Sequence, residues 1–252
     1  MIGIFDSGSG GLSVMRALRE ELPSSDITYF GDIKNAPYGT KSHQELSELT
    51  IAALKLLKGR NVQRIVSACN SVSASLAVTL FDAFSITSED LIEMVGPTVS
   101  TFKNYEKRIA LSATPATIQS GMYESAFHML NKNPISIEIP DLAKAVEFGA
   151  SEESMKAMIA TALQPHAGTY DILILACTHY PLVEHLFAEV VGSEVQIFDP
   201  AYAVAERAKK MFWPQEVGDG TTHFIISQDS EYFRKYVEEL FPGMEYAIEV
   251  IE

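Results

Sequence analysis

Short apolar runs alternating with helix-length amphipathic segments along the whole chain predict an α/β fold built on parallel sheets. The runs are apolar at successive positions rather than alternate ones, which is the pattern of strands buried on both faces between two layers of helices. A weak internal repeat divides the chain in two: Ile65-Val66-Ser67-Ala68-Cys69-Asn70 and Leu173-Ile174-Leu175-Ala176-Cys177-Thr178 each end a strand in a cysteine and lead into a helix. Asp6 lies 63 residues before Cys69, and Thr114 lies 63 before Cys177. The expectation is two pseudo-symmetric three-layer α/β domains that face one another.

In chain order, strands are predicted at Ile2 to Phe5, Ile27 to Phe30, Ile65 to Ala68, Ile109 to Ser112, Ile172 to Ala176 and Val195 to Phe198. Between them, helices are predicted at Leu12 to Leu22, Ser42 to Lys58, Ser73 to Phe84, Ala116 to Leu130, Met155 to Leu163 and Tyr180 to Val191. A boundary near Val95 to Thr98 closes the first half. The strand Thr222 to Ser227 and the helix Ser230 to Leu240 have no place in the second half, so the tail is expected to return to the first. This gives a first domain of residues 1–96 with 204–252, and a second of 97–203.

With 252 residues, 47% of them hydrophobic, the chain can bury one large core or two small ones. Its 33 acidic against 19 basic residues give a formal charge of −14, which repels phosphate backbones and disfavours nucleic acid or an anionic membrane as a primary partner. Met1 to Gly11 lacks the basic and apolar regions of a signal peptide, and no apolar run approaches membrane-spanning length, so a soluble cytoplasmic protein is expected. Two cysteines fall far short of a disulfide framework, and in a reducing cytosol both are expected as thiols.

In open α/β sheets ligands bind beyond the carboxyl ends of the strands, so the turns there are the first place to look for chemistry. The turn Asp6-Ser7-Gly8-Ser9-Gly10-Gly11 offers backbone N–H groups to an anion at a helix start. It lacks the Gly-Lys-Ser/Thr of a phosphate loop and the glycine spacing of a dinucleotide fingerprint. Cys69-Asn70-Ser71 and Cys177-Thr178-His179 each put a thiol where a helix begins, where the dipole is expected to lower its pKa. A free cysteine is more often a small buried hydrophobe, but both cysteines standing at equivalent strand ends argues for a shared role. No Cys-x-x-Cys or His-x-x-x-His spacing supports a metal site, and a cysteine hydrolase leaves the second thiol unexplained. Two thiols on opposite sides of a substrate suit a proton exchange at one carbon, in which one thiolate takes a proton and the opposite thiol supplies one. Such a site needs no cofactor if its own donors stabilise the carbanion-like transition state. A binding protein that holds an anion at Asp6 to Gly11 without turnover, or a regulatory protein, is the alternative of a different class.

The motifs, in order and with their intervals, resemble those of the glutamate racemases of the aspartate/glutamate racemase family along nearly the whole chain. They are Ile4-Phe5-Asp6-Ser7-Gly8 with Gly10-Gly11-Leu12-Ser13-Val14, Tyr29-Phe30-Gly31-Asp32 with Pro37-Tyr38-Gly39-Thr40, Ala68-Cys69-Asn70, Ala116-Thr117-Ile118-Gln119-Ser120-Gly121 and Ala176-Cys177-Thr178-His179-Tyr180-Pro181. Val146-Glu147-x-Gly149 and Asp199-x-Ala201 fit weaker family patterns. The resemblance implies a site between two pseudo-symmetric domains, no cofactor, no metal, a homodimer, and supply of D-glutamate for peptidoglycan. It implies that Cys69, assisted by Asp6, acts on the D-enantiomer, and that Cys177, assisted by Glu147 and His179, acts on the L-enantiomer. It assigns substrate binding to Asp6, Ser7, Pro37, Tyr38, Gly39, Asn70, Ser71, Thr114, Thr117, Thr178 and His179. From the residues alone, Asp6 can equally cap a helix and His179 can be structural. The chain departs from the family at Ser9, usually apolar, at Ser71, usually Thr, at Asn35-Ala36, usually Arg-Val, and at Ser112-Ala113-Thr114, usually Gly-Thr. These departures bear on the substrate more than on the reaction, and an aspartate racemase or another two-cysteine isomerase is the nearest alternative.

Overall fold

The computed structural model describes residues 1–73 and 86–251. Within them the strands, in chain order, are β1 (Ile2–Asp6), β2 (Ile27–Gly31), β3 (Arg64–Ser67), β4 (Leu91–Ile92), β5 (Ile109–Ala113), β6 (Ile135–Glu138), β7 (Ile172–Ala176), β8 (Gln196–Phe198), β9 (Thr222–Ile226) and β10 (Ala247–Val250). They form two sheets, β10-β9-β2-β1-β3-β4 and β6-β5-β7-β8. Each strand pairing in both sheets is parallel.

The unbroken apolar runs explain the layering. Side chains alternate across a pleated strand, so a run apolar at every position supplies both faces at once. Ile2 and Ile4 of β1 pack with Leu12, Val14 and Phe224, while Phe5 packs on the other face with Leu54, Leu57 and Ile65. In the second sheet Leu173 and Leu175 of β7 point one way, Ile172 and Ile174 the other. Each such side chain taken from water contributes about 1.5–3 kcal/mol. The result is an α/β fold of two domains, each a parallel sheet flanked by helices.

The chain leaves the second sheet through helix Pro200–Phe212, which packs along helix Leu12–Glu21 of the first. Asp199 starts that helix, accepting the Ala201 N–H at 2.9 Å with Pro200 in the first position, where the absent N–H costs nothing. β9 then pairs with β2, and β10 with β9. Among the described residues no helix is long and apolar enough to cross a membrane.

Several expected elements are redrawn. The single helix expected over Ala116 to Leu130 is two, Pro115–Gln119 and Met122–His128, because Gly121 between them takes a left-handed φ of 64°. The segment Tyr180 to Val191 begins as a 3-10 turn, Tyr180–Val183, before the α-helix Glu184–Val191. The helix expected over Ser73 to Phe84 lies, beyond Ser73, outside the described residues. Three strands were not expected: β4 has two residues, and β6 and β10 are short edge strands with a charged residue facing out. Helices Val95–Thr101, Leu142–Glu147 and Pro200–Phe212 are also additional.

Candidate active site

The carboxyl ends of β1 and β3, neighbours in the first sheet, meet those of β5 and β7, neighbours in the second. They bound a narrow cavity. Cys69, after β3, and Cys177, after β7, both line it. Each thiol is 5% exposed. Around them stand Ser7, Pro37, Tyr38 and Gly39, then Asn70, Ser71, Thr114, Thr178 and His179. Asp6, Thr117 and Glu147 are buried one layer behind the wall rather than on it. Ala143, on helix Leu142–Glu147, lines the cavity and was not expected, since nothing in its chemistry distinguishes it.

Each thiol is backed by ionisable groups. Behind Cys177, His179 Nδ1 lies 3.9 Å from the sulfur, and Nε2 lies 2.6 Å from Glu147 Oε2. Burial works against a charged His179 ring, but Cys177 and Glu147 outweigh it and hold the imidazole well above its ordinary pKa. Burial likewise pushes the Glu147 carboxyl up, yet the His179 ring and the Ser9 N–H and hydroxyl outweigh that and keep it below the usual carboxylate range. The pair is therefore carboxylate and imidazolium at neutral pH. On the other side, Asp6 is raised by burial against the pull of His179, the Gly8 N–H and the Thr178 hydroxyl. The Thr178 hydroxyl donates to Asp6 at 3.0 Å, tying the end of β7 to the end of β1.

The expected lowering of both thiol pKa values by helix dipoles fails at Cys69. Burial, with the Asp6 carboxyl beside it, pushes that thiol up to about 12, against the Val72 N–H and the Ser7 hydroxyl that favour the thiolate. The start of the helix that follows, Asn70–Ser73, does not outweigh desolvation at that sulfur.

The glycine-rich turn after β1 does hold an anion, and it belongs to the protein. The Ser9 N–H donates to Glu147 Oε2 at 2.8 Å and the Ser9 hydroxyl to Oε1 at 3.0 Å. A Cβ on Gly8 would stand 2.5 Å from Glu147 Oε2, and one on Gly10 would stand 2.6 Å from Thr178 Oγ1, so only glycine lets the two halves approach this closely. Asp6 accepts the Gly8 N–H at 3.0 Å, while helix Leu12–Glu21 has no side-chain cap.

Polar groups of the wall are mostly engaged with one another. The hydroxyls of Ser71, Thr114 and Thr117 form a triangle at 3.0, 3.1 and 3.3 Å that joins the two halves. The Tyr38 hydroxyl donates to Asp32, which also accepts from Ser227 and from Asn35, so Asn35 fastens the carboxylate beneath the Pro37-Tyr38-Gly39 segment. Tyr123 donates to the Asn70 side-chain carbonyl at 2.6 Å, and the buried Asn70 amide nitrogen has no partner among the described residues. Tyr29 and Tyr123, which brace the site from behind, were not among the expected site residues; Tyr29 donates to the Gly8 carbonyl at 2.5 Å. Among the described residues no Lys or Arg lines the cavity. Among the described residues no group of three or more His, Cys, Asp or Glu side chains is placed to share a metal ion.

The model of the Asp/Glu/Hydantoin racemase family matches residues 2–208. A glutamate racemase of Thermoanaerobacter sp. (strain X514) is 32% identical over 250 residues, 95% of this chain and 92% of that one. Among solved structures, a glutamate racemase isoform from Bacillus anthracis superposes with a TM-score of 0.88 at 29% identity, covering 100% of this chain and 97% of the other. The glutamate racemase of Francisella tularensis subsp. tularensis SCHU S4, solved in complex with D-glutamate, gives 0.87 at 27% identity over 100% and 97%.

Proposed function

The chain belongs to the Asp/Glu/Hydantoin racemase family, and from that premise we propose that it interconverts L- and D-glutamate, passing the α-proton between Cys69 and Cys177 and supplying D-glutamate for peptidoglycan. The observation that carries the reading is the pair of buried thiols lining one cavity, one backed by Asp6 and the other by the His179–Glu147 pair.

A glutamate α-proton is weakly acidic, so its removal needs a positioned base and stabilisation of the charge left on the carbon and its carboxylate. For the L-enantiomer the Cys177 thiolate takes the α-proton, and the His179 imidazolium stabilises negative charge on that sulfur. The Cys69 thiol, which burial keeps protonated, gives its proton to the opposite face. One S–H bond forms and one breaks, and the centre inverts. From the D-enantiomer the roles exchange, with Asp6 beside the Cys69 sulfur. The Asn70 amide nitrogen, unpartnered among the described residues, is a donor for a substrate carboxylate, with Ser7, Gly39, Ser71, Thr114 and Thr178 on the wall. Tyr38 contributes ring and backbone, since its hydroxyl is committed to Asp32. Apart from the His179 imidazolium, the wall offers neutral donors, which suits a site that must accept both hands of one molecule. Homodimerisation and a cytoplasmic location belong to the same proposal and rest on the family resemblance.

Circular dichroism of L- and D-glutamate solutions with purified protein tests it. The signal of either enantiomer should decay to zero with the wild type and not with Cys69→Ala or Cys177→Ala. Turnover of aspartate but not glutamate would keep the mechanism and discard the substrate, and no turnover of either would remove the racemase reading.

A further inference from the structure

Ser9 touches neither thiol and does not line the cavity, yet it makes two of the hydrogen bonds that orient the charged pair behind Cys177. Its N–H and the His179 Nε2–H share Glu147 Oε2, while its hydroxyl takes Oε1. Ser9 is wholly buried, as is Glu147. Helix Leu142–Glu147 belongs to the second half and the Ser9 turn to the first, so the hold spans the two domains. We infer that Ser9 is a positioning residue for racemisation: it fixes the Glu147 carboxylate at two points, and through it the His179 ring that faces Cys177. This inference rests on the racemase reading above.

The physical argument concerns rotation. A carboxylate held at Oε2 alone can turn about its Cγ–Cδ bond, and the His179 ring that donates to the same oxygen turns with it. The Ser9 hydroxyl on Oε1 removes that freedom, and a charge-assisted bond in a buried place does so strongly. The same hydroxyl stabilises the ionised carboxylate. The titratable groups facing Glu147 are His179, Tyr29 and Tyr236, and His179 in turn faces Cys177 and Asp6. Of these, His179 makes the direct contact to Glu147.

Racemisation supplies a discriminating readout, because the two enantiomers have equal free energy and kcat/KM must stay equal in both directions. Ser9→Ala should lower kcat/KM about tenfold both ways, the size of a lost hydrogen bond to a charged group. The loss lies on the Cys177 side alone. The primary isotope effect on kcat/KM with α-deuterated L-glutamate should therefore rise, and that with α-deuterated D-glutamate should fall. The acid limb of the pH profile should move to higher pH, because the carboxylate has lost a stabilising donor. Ser9→Thr, which keeps the hydroxyl, should restore all three. In a Glu147→Gln background Ser9→Ala should cost little more, since the group it acts through is already disabled.

Wild-type protein that fails to racemise glutamate overturns the racemase reading itself. With active wild type, three results would each overturn the role of Ser9: unchanged kinetics in Ser9→Ala, isotope effects that move together for both enantiomers, or losses that multiply in the double variant.

Discussion

Glu147 bears a full charge at the end of a six-residue helix and is wholly buried, an arrangement that costs several kcal/mol unless a partner compensates it. His179 is that partner, and the sign of each shift fixes the pH behaviour. His179, raised, contributes stability that is present below its unfolded pKa and lost as pH rises through the folded value. Glu147, lowered, contributes stability that is present above its unfolded pKa and lost as pH falls through the folded value. The pair therefore stabilises the protein across neutral pH and is lost at both extremes. Glu147→Gln should destabilise by about 3–5 kcal/mol, the cost of leaving a buried charge alone, seen as a fall in denaturant midpoint near pH 7. It should also lower kcat/KM about a hundredfold and move the alkaline limb of the pH profile down, because the imidazolium has lost its counter-charge. At this scale the thiols were legible, since both cysteines end equivalent strands. The layer behind them was less so: that Asp6, Thr117 and Glu147 stand behind the wall, and that Ser9 grips Glu147 across 138 positions, depends on long-range packing that no local pattern encodes.

The helix Pro200–Phe212 carries the chain from one sheet to the other, and its first cap titrates. Burial raises Asp199 to about 6, with Glu184 adding repulsion and the Ala201 N–H and Arg16 opposing. A raised carboxyl pKa makes the folded state the stronger proton binder, so stability falls as pH climbs between the ordinary value and about 6. Asp199→Asn keeps an acceptor for the Ala201 N–H and removes the charge. It should raise stability above pH 7 by on the order of 1 kcal/mol and flatten the pH dependence of Tm in that window. Gly149 ends the segment after helix Leu142–Glu147 with φ 71°, and a Cβ there would lie 2.0 Å from the Tyr232 ring. Gly149→Ala should cost about 1–2 kcal/mol from the left-handed backbone alone, read as a lowered Tm. Elements were legible where the hydrophobic pattern was long: β1, β2, β3, β5 and β7 are continuous apolar runs. β4, β6 and β10 were not, because two to four residues at an edge carry no period. Asp199-Pro200 is a helix start legible in the sequence, an Asx cap followed by Pro in the first position.

At the scale of the molecule, a net charge of −14 surrounds a cavity lined, among the described residues, by no Lys or Arg. An anionic amino acid approaches against that field, so added salt should lower KM for glutamate, by about twofold between low and physiological ionic strength, with kcat little changed. Initial rates at several salt concentrations measure this. The two-domain plan was legible because the cysteine-ended strands repeat, whereas the way the domains interlock was not. Gly8, Gly10, Thr178 and Glu147 meet at the contact, and no local pattern pairs them across it. That contact puts a thiol, with its own ionisable support, on each side of one small cavity. Deuterium placement at low conversion tests this arrangement, with L-glutamate and the protein in deuterated water and the two enantiomers then separated. Two thiols on opposite faces require deuterium at the α-carbon of the D-glutamate formed, with the remaining L-glutamate still carrying protium. Deuterium entering the remaining L-glutamate as fast as the product would mean one base serving both faces, and would rule out transfer between two thiols.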